Sequence, residues 1–230
     1  MNEPLDNPVW SSLTGEHASL GRRLPHVARY HADVAPFVGA DVGATTAAEE
    51  LADLVAPDES VLFVGPAPEL ASTVWQVEPL ESIAQMISDL RCPQFEGPPI
   101  TELTAAHAAD VLDLTSRVYP HYFRPRATAM GRYLGIYDGD KLAAMVGERM
   151  RFGRHVELSA ICTDPAYVGR GYAQRLVGRL VADIRGANRI PFLHVSHRNT
   201  RAKTLYEHLG FRFRTDIPLV AAHRRTVRTS

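Results

Sequence analysis

The stretch from Glu157 to Phe211 constrains the fold of this chain more than any other. It reads as strand, glycine turn, helix, strand and second helix. His155 to Thr163 is an apolar run that enters the turn Val168-Gly169-Arg170-Gly171. Beyond it, Ala173, Leu176, Val177, Leu180, Val181 and Ile184 recur at i, i+3, i+4, i+7, i+8 and i+11, the stripe of a helix docked on a sheet. Phe192 to Val195 forms the next short strand. A second helix then buries Ala202, Leu205, Tyr206 and Leu209 and stops at Gly210. A helix opening on a glycine turn presents free N–H groups and the positive end of its dipole, a seat for a phosphate group. The fold class is α/β (α+β).

The rest of the C-terminal half continues the alternation. Ile100 to Leu103 is predicted as a strand and Ala105 to Val118 as a helix. Asp138-Gly139-Asp140 closes a hairpin between Arg132–Tyr137 and Leu142–Arg149. Phe211 to Arg214 and Leu219 to Ala222 finish as two strands. The N-terminal half is more loosely patterned. Helices are predicted at Asn7–Leu20, Thr46–Val55 and Leu80–Leu90, a short strand within Val27–Phe37, and strands at Val61–Val64 and Thr73–Val77. Arg91 to Pro99, with three prolines and Gly97, is the linker, which divides the chain into units 1–95 and 100–230.

Charge supports the same division. Residues 1–100 carry a net −11 and residues 101–230 a net +10, summing to the overall −1. The basic half suits a polyanionic ligand, or it faces the acidic half. Its arginines are spread over many elements and not along one helix, so no nucleic-acid partner is expected. A dinucleotide-binding domain is disfavoured because no Gly-x-Gly-x-x-Gly fingerprint follows a strand. No run approaches the roughly 18 apolar residues of a membrane helix, and the acidic N-terminal residues lack a signal-peptide core. Two cysteines, Cys92 and Cys162, are too few for a disulfide framework or a zinc site and read as buried packing. We expect a cytoplasmic protein with no membrane association and no metal. His194 and His197, three apart, lack further ligands for one.

Residues from about 100 to 222 resemble the GNAT superfamily of N-acetyltransferases. The element order matches that fold, a mixed and mostly antiparallel sheet flanked by helices. Gly171, Tyr172 and Ala173 match the second half of the family's pyrophosphate motif, Arg/Gln-x-x-Gly-x-Gly/Ala. Val168 stands where the motif has Arg or Gln, which is a departure. Asn199, Ala202, Tyr206, Gly210 and Phe211 match Asn-x-x-Ala-x-x-x-Tyr-x-x-x-Gly-Phe. The long N-terminal extension resembles the glycine N-acyltransferase-like branch. It implies an additional smaller N-terminal α/β domain.

The resemblance implies acetyl-CoA as donor and an amine as acceptor, in a monomer or homodimer. It places the pyrophosphate on Val168, Gly169, Arg170, Gly171, Tyr172 and Ala173, held by backbone donors and by Arg170 in place of the missing side chain. It lays the backbone of Ile161, Cys162 and Thr163 along the pantetheine arm as an added strand. Asn199 is an N-cap or also a pantetheine contact, and Ala202 lies beside it on the same helix. Tyr206 is the general acid for the departing thiolate, or a core tyrosine. Glu157 is the general base, directly or through water, or one half of an ion pair. By simple alternation it shares a face with Ser159, Ile161 and Thr163. Tyr119 to Arg126, aromatic and basic, falls where the family has its acceptor loop. The rival reading is a non-catalytic acyl-CoA sensor or partner-binding module.

Overall fold

A computed structural model describes residues 3–41, 43–88, 93–118 and 123–226. Its described strands are β1 (Gly21–Arg23), β2 (Val27–Tyr30), β3 (Phe37–Ala40), β4 (Ser60–Val64), β5 (Trp75–Ile87), β6 (Thr101–Leu103), β7 (Tyr133–Asp138), β8 (Lys141–Phe152), β9 (His155–Thr163), β10 (Ile190–Ser196) and β11 (Arg212–Arg224). They form one sheet in the order β1-β2-β3-β4-β11-β5-β10-β9-β8-β7-β6. All neighbours are antiparallel except β3 with β4 and β9 with β10. Helices α1 (Pro8–Leu13), α2 (Ala47–Leu54), α3 (Ala108–Val118), α4 (Tyr172–Gly186) and α5 (Thr200–His208) flank it. The result is a mixed α/β fold built on a large, mostly antiparallel sheet.

The sheet runs across the boundary between 1–95 and 100–230. β11 lies between β4 and β5, and β5 lies between β11 and β10. One face carries α4 and α5. There Leu176, Leu180, Val181, Tyr206 and Leu209 pack on Val156, Leu158, Leu193 and Val195. The opposite face carries α1 and α3 in two separate cores. Leu5, Val9 and Leu13 pack on Met150, Phe152 and Phe192. Val111 and Leu114 pack on Tyr133, Met145 and Cys162.

Most elements of the C-terminal half lie where the periodicity places them. β9 spans His155–Thr163 as expected, and Gly139 turns the β7–β8 hairpin at φ 58°. Of the helix expected at Leu80–Leu90, Leu80–Ile87 is instead the second half of β5, with Ala84 and Met86 facing α4 and α5, and 89–90 lie outside the described residues. Hydrogen bonding to β10 on one side and β11 on the other overrides its helical pattern. The helix expected over Asn7–Leu20 ends at Leu13, and a 3-10 turn follows at Ala18–Leu20. The two closing strands are one strand, β11, irregular at Phe213/Thr215 and Ile217/Leu219. Of the expected linker, 93–99 packs against α4, where Arg175 donates to the carbonyls of Phe95 and Pro98. Cys92 and 119–122 lie outside the described residues.

Candidate active site

The site begins where two parallel strands part. The β9–β10 ladder runs from His155↔Ile190 to Leu158↔Leu193 and ends there. Beyond that point β9 continues to pair with β8 as far as Thr163, and β10 with β5 as far as Ser196. Ser159–Thr163 and His194–Ser196 thus face each other with no ladder between them. His194 carries the mark of this opening. Its side chain is 2% exposed, yet the residue as a whole is only half-buried, so its accessible surface is backbone.

A bulge in β9 marks the same place. Ala160 sits at φ 49°, and two residues of β9, Ala160 and Ile161, oppose the single Val146 of β8 between Ser159↔Gly147 and Cys162↔Met145. The extra residue reverses the alternation. Ile161 packs with the α4 side, and Cys162 packs with Tyr133 and Met145 on the other. Glu157 therefore shares its face with Ser159 and Cys162, not with Ile161 and Thr163 as simple alternation gives. Burial pushes the Cys162 thiol up to about 12, which keeps it a neutral packing group.

From Thr163 the chain enters the glycine turn. Asp164 fixes its entry. Its carboxylate accepts from the Ala166 amide at 2.9 Å and meets Lys141 at 3.0 Å and Arg117 at 3.2 Å. Gly169 at φ 87° and Gly171 at φ 77° supply the left-handed backbone, and Gly171 caps α4. A Cβ on either would meet nothing within 4 Å, so the space over the turn is open. The first intrahelical bond runs from the Arg175 amide to Gly171. The preceding amides of Tyr172, Ala173 and Gln174 have no carbonyl within the helix to bond. Val168 is 45% exposed and offers no polar group. The Arg170 guanidinium lies 4.7 Å from the Tyr167 ring centroid, and that ring stacks on Tyr172 at 6.2 Å.

The second helix starts at Asn199, whose side chain accepts from the Ala202 amide at 3.1 Å. Ala202 is half-buried against the α4-side core. Tyr206, one turn further along, is buried in that core beside Phe211.

Glu157 lies on the other face, 0% exposed, in a polar network. Arg149 donates to it through Nε at 2.8 Å and Nη2 at 2.5 Å, and His194 bonds it through Nδ1 at 2.7 Å. Gln85 bonds His194 Nε2 at 3.0 Å and is itself held by Arg214 at 2.8 Å. Burial alone would raise the Glu157 carboxyl, but Arg149 and His194 more than reverse this and bring it down to about 2. Neither Arg149 nor Gln85 stands out by spacing in the sequence. The available signal is only that the strand opposite Glu157 carries two arginines, Arg149 and Arg151. No cluster of three or more His, Cys, Asp or Glu suited to a metal occurs among the described residues. No helix among them is long and apolar enough to cross a membrane.

Comparison with known proteins decides the family. Residues 133–218 match the model of the FR47-like protein family. The N-alpha-acetyltransferase RimI of Mycobacterium tuberculosis is 32% identical over 127 residues, covering 49% of this chain and 78% of that protein. A crystal structure assigned to the GNAT family, from Novosphingobium aromaticivorans, shares 32% identity and a TM-score of 0.88, covering 98% of this chain and 100% of that one. The chain belongs to the GNAT family of acetyltransferases. An uncharacterized Mycobacterium leprae protein is 29% identical over 153 residues, which span only 42% of its length. A GCN5-related N-acetyltransferase from Kribbella flavida, 13% identical, has the same fold with a TM-score of 0.62. In this GNAT chain the parted strands, the glycine turn and the Asn199–Tyr206 helix meet at one end of β9.

Proposed function

We propose that the protein is an N-acetyltransferase that moves acetyl from acetyl-CoA to a primary amine by direct attack in a ternary complex. The observation that carries this reading is the end of the β9–β10 ladder at Leu158 and Leu193. It leaves an unpaired backbone edge on Ile161, Cys162 and Thr163 that leads straight into an open glycine turn. A pantetheine arm fits such an edge as an added strand. The amides of the turn and of the first turn of α4 suit a pyrophosphate, with Arg170 as the neighbouring cation.

In the reaction the amine nitrogen forms a bond to the thioester carbonyl carbon, and the C–S bond breaks. Backbone N–H groups of β9 polarise the carbonyl oxygen. Tyr206 gives its phenolic proton to the departing thiolate. The proton lost from the amine goes to water. Of the two bases expected, water or Glu157, the ion-paired carboxylate suits the first. A group held near pKa 2 takes up a proton poorly at neutral pH. Glu157 then acts by holding Arg149 and His194 in place. Residues 1–95 serve as the unit that walls the Glu157 side of the gap.

Thiol release from acetyl-CoA across a panel of primary amines tests the reading. Tyr206→Phe should cut turnover by on the order of 100-fold while leaving the acetyl-CoA dissociation constant near its original value. Unchanged turnover would remove the acid role. A protein that binds acetyl-CoA but releases no thiol with any amine would be a sensor and not an enzyme.

A further inference from the structure

One polar row crosses the centre of the sheet. β11, β5, β10, β9 and β8 are consecutive strands, and Arg214, Gln85, His194, Glu157 and Arg149 join side chain to side chain across them. Gln85 and His194 are direct partners in the β5–β10 ladder. Arg214 sits in the β11 irregularity between Phe213 and Thr215. Gln85 is fully buried, so its amide must find its partners within the protein. Those partners fix which way the amide points. Its oxygen lies 2.8 Å from Arg214 Nη1, a group that only donates. Its nitrogen lies 2.8 Å from the Leu5 carbonyl, which only accepts. Exchanging the two would set donor against donor and acceptor against acceptor.

The second N–H of the amide goes to His194 Nε2, 3.0 Å away. Nε2 therefore accepts and carries no proton. The one ring proton is on Nδ1 and goes to Glu157 at 2.7 Å. The imidazole is neutral, and Arg149 meets the Glu157 charge. Both ring nitrogens are occupied, so neither is free to take a proton from an amine. The bond to Glu157 lies at the mouth of the gap. Glu157 is opposite Phe192, and the ladder ends one residue further on, at Leu158 and Leu193. The Glu157–His194 bond crosses that last rung diagonally. It is the one side-chain hydrogen bond between β9 and β10 among the described residues.

We propose that His194 is a positioning residue for acetyl transfer: as the neutral Nδ1–H tautomer it clips β10 to β9 where the strands part, and it takes no proton itself. The proposal rests on the acetyl-transfer reading, in which the two backbone walls of the gap keep their spacing around the thioester. An error of about 1 Å in such placement costs on the order of 100-fold in rate. Gln85 and Arg214 act one and two strands away, by holding the tautomer.

The test joins a spectrum to kinetics. In the full chain labelled with nitrogen-15, long-range proton–nitrogen correlations at neutral pH read the His194 tautomer, with the ring assigned from its backbone connectivities. A protonated Nδ1 beside a bare Nε2 is expected, with and without CoA. A protonated Nε2 would overturn the proposal. Two variants then separate the two bonds. The amide of an Asn side chain reaches as far as Nδ1 and can still donate to Glu157. That of Gln reaches as far as Nε2, which keeps the contact to Gln85 and loses the clip. His194→Asn should therefore retain at least about tenfold more kcat in thiol release than His194→Gln, with acetyl-CoA dissociation constants within about threefold of each other. Equal kcat in the two variants would overturn the positioning role, as would a loss carried wholly by acetyl-CoA affinity. No thiol release by the wild type would remove the acetyl-transfer reading and the positioning role with it, while the tautomer stands on its own spectrum. Should neither variant fold, the wild-type spectrum still decides.

Discussion

At the scale of single residues, the face opposite α4 and α5 holds an acid-sensitive store of stability. His17 is buried against the Tyr30 hydroxyl at 2.9 Å. Burial, helped by the nearby Arg151, lowers its pKa to about 4. Glu157 falls to about 2 through Arg149 and His194. Both folded values lie below the unfolded ones, so each group stabilises the fold fully above its unfolded pKa. The His17 contribution drains as pH falls from 6.5 through about 4, and the Glu157 contribution from 4.5 through about 2. The melting temperature should therefore fall in two stages on acidification. His17→Gln should flatten the upper stage and leave the lower one. Glu157→Gln strands the Arg149 charge and should cost about 3–5 kcal/mol in urea unfolding. Glu157 was legible in the sequence as a polar residue opening an apolar strand. Its partners were not, because nothing in linear spacing says that Arg149 and His194 converge on it from two different strands, with Gln85 of a third bonded to His194.

At the scale of elements, β9 and its turn make the site. Ala160 adopts a left-handed backbone that a β-branched side chain resists. Ala160→Val should cost about 1–3 kcal/mol of stability and Ala160→Gly almost nothing. Gly171 also has positive φ, but the space above it is open. Gly171→Ala should therefore cost only the backbone term, about 1–2 kcal/mol. The same change should shrink the thermal shift given by acetyl-CoA, because the added methyl group lies where the phosphates are proposed to sit. The strand, turn and helix were legible because their apolar periods and glycines are local signals. The bulge was not, since Ala160 looks ordinary in sequence and only pairing with β8 reveals the extra residue. β5 was misread for a related reason. Its residues carry a helical pattern, and the sheet neighbours that make them a strand lie more than 100 residues away.

At the scale of the whole molecule, the continuous sheet ties the acidic half to the basic one. Leu5, Val9 and Leu13 pack on Phe192 and Met150, so the N-terminal helix is part of the core beneath the site. Leu13→Ala should cost about 2–5 kcal/mol, and thermal unfolding should remain a single transition in which both halves melt together. Two transitions with separate midpoints would show that the halves are energetically independent. The charge break near residue 100 was visible in composition. That β11 returns between β4 and β5 was not, because a strand order is set by pairing between distant segments. The central claim is that acetyl-CoA lies along the unpaired edge of β9 and across the glycine turn. Amide hydrogen exchange measured with and without acetyl-CoA tests it most directly. Protection gained together at 159–163 and 168–173 is the predicted result. Protection gained elsewhere, with both segments unchanged, would contradict it.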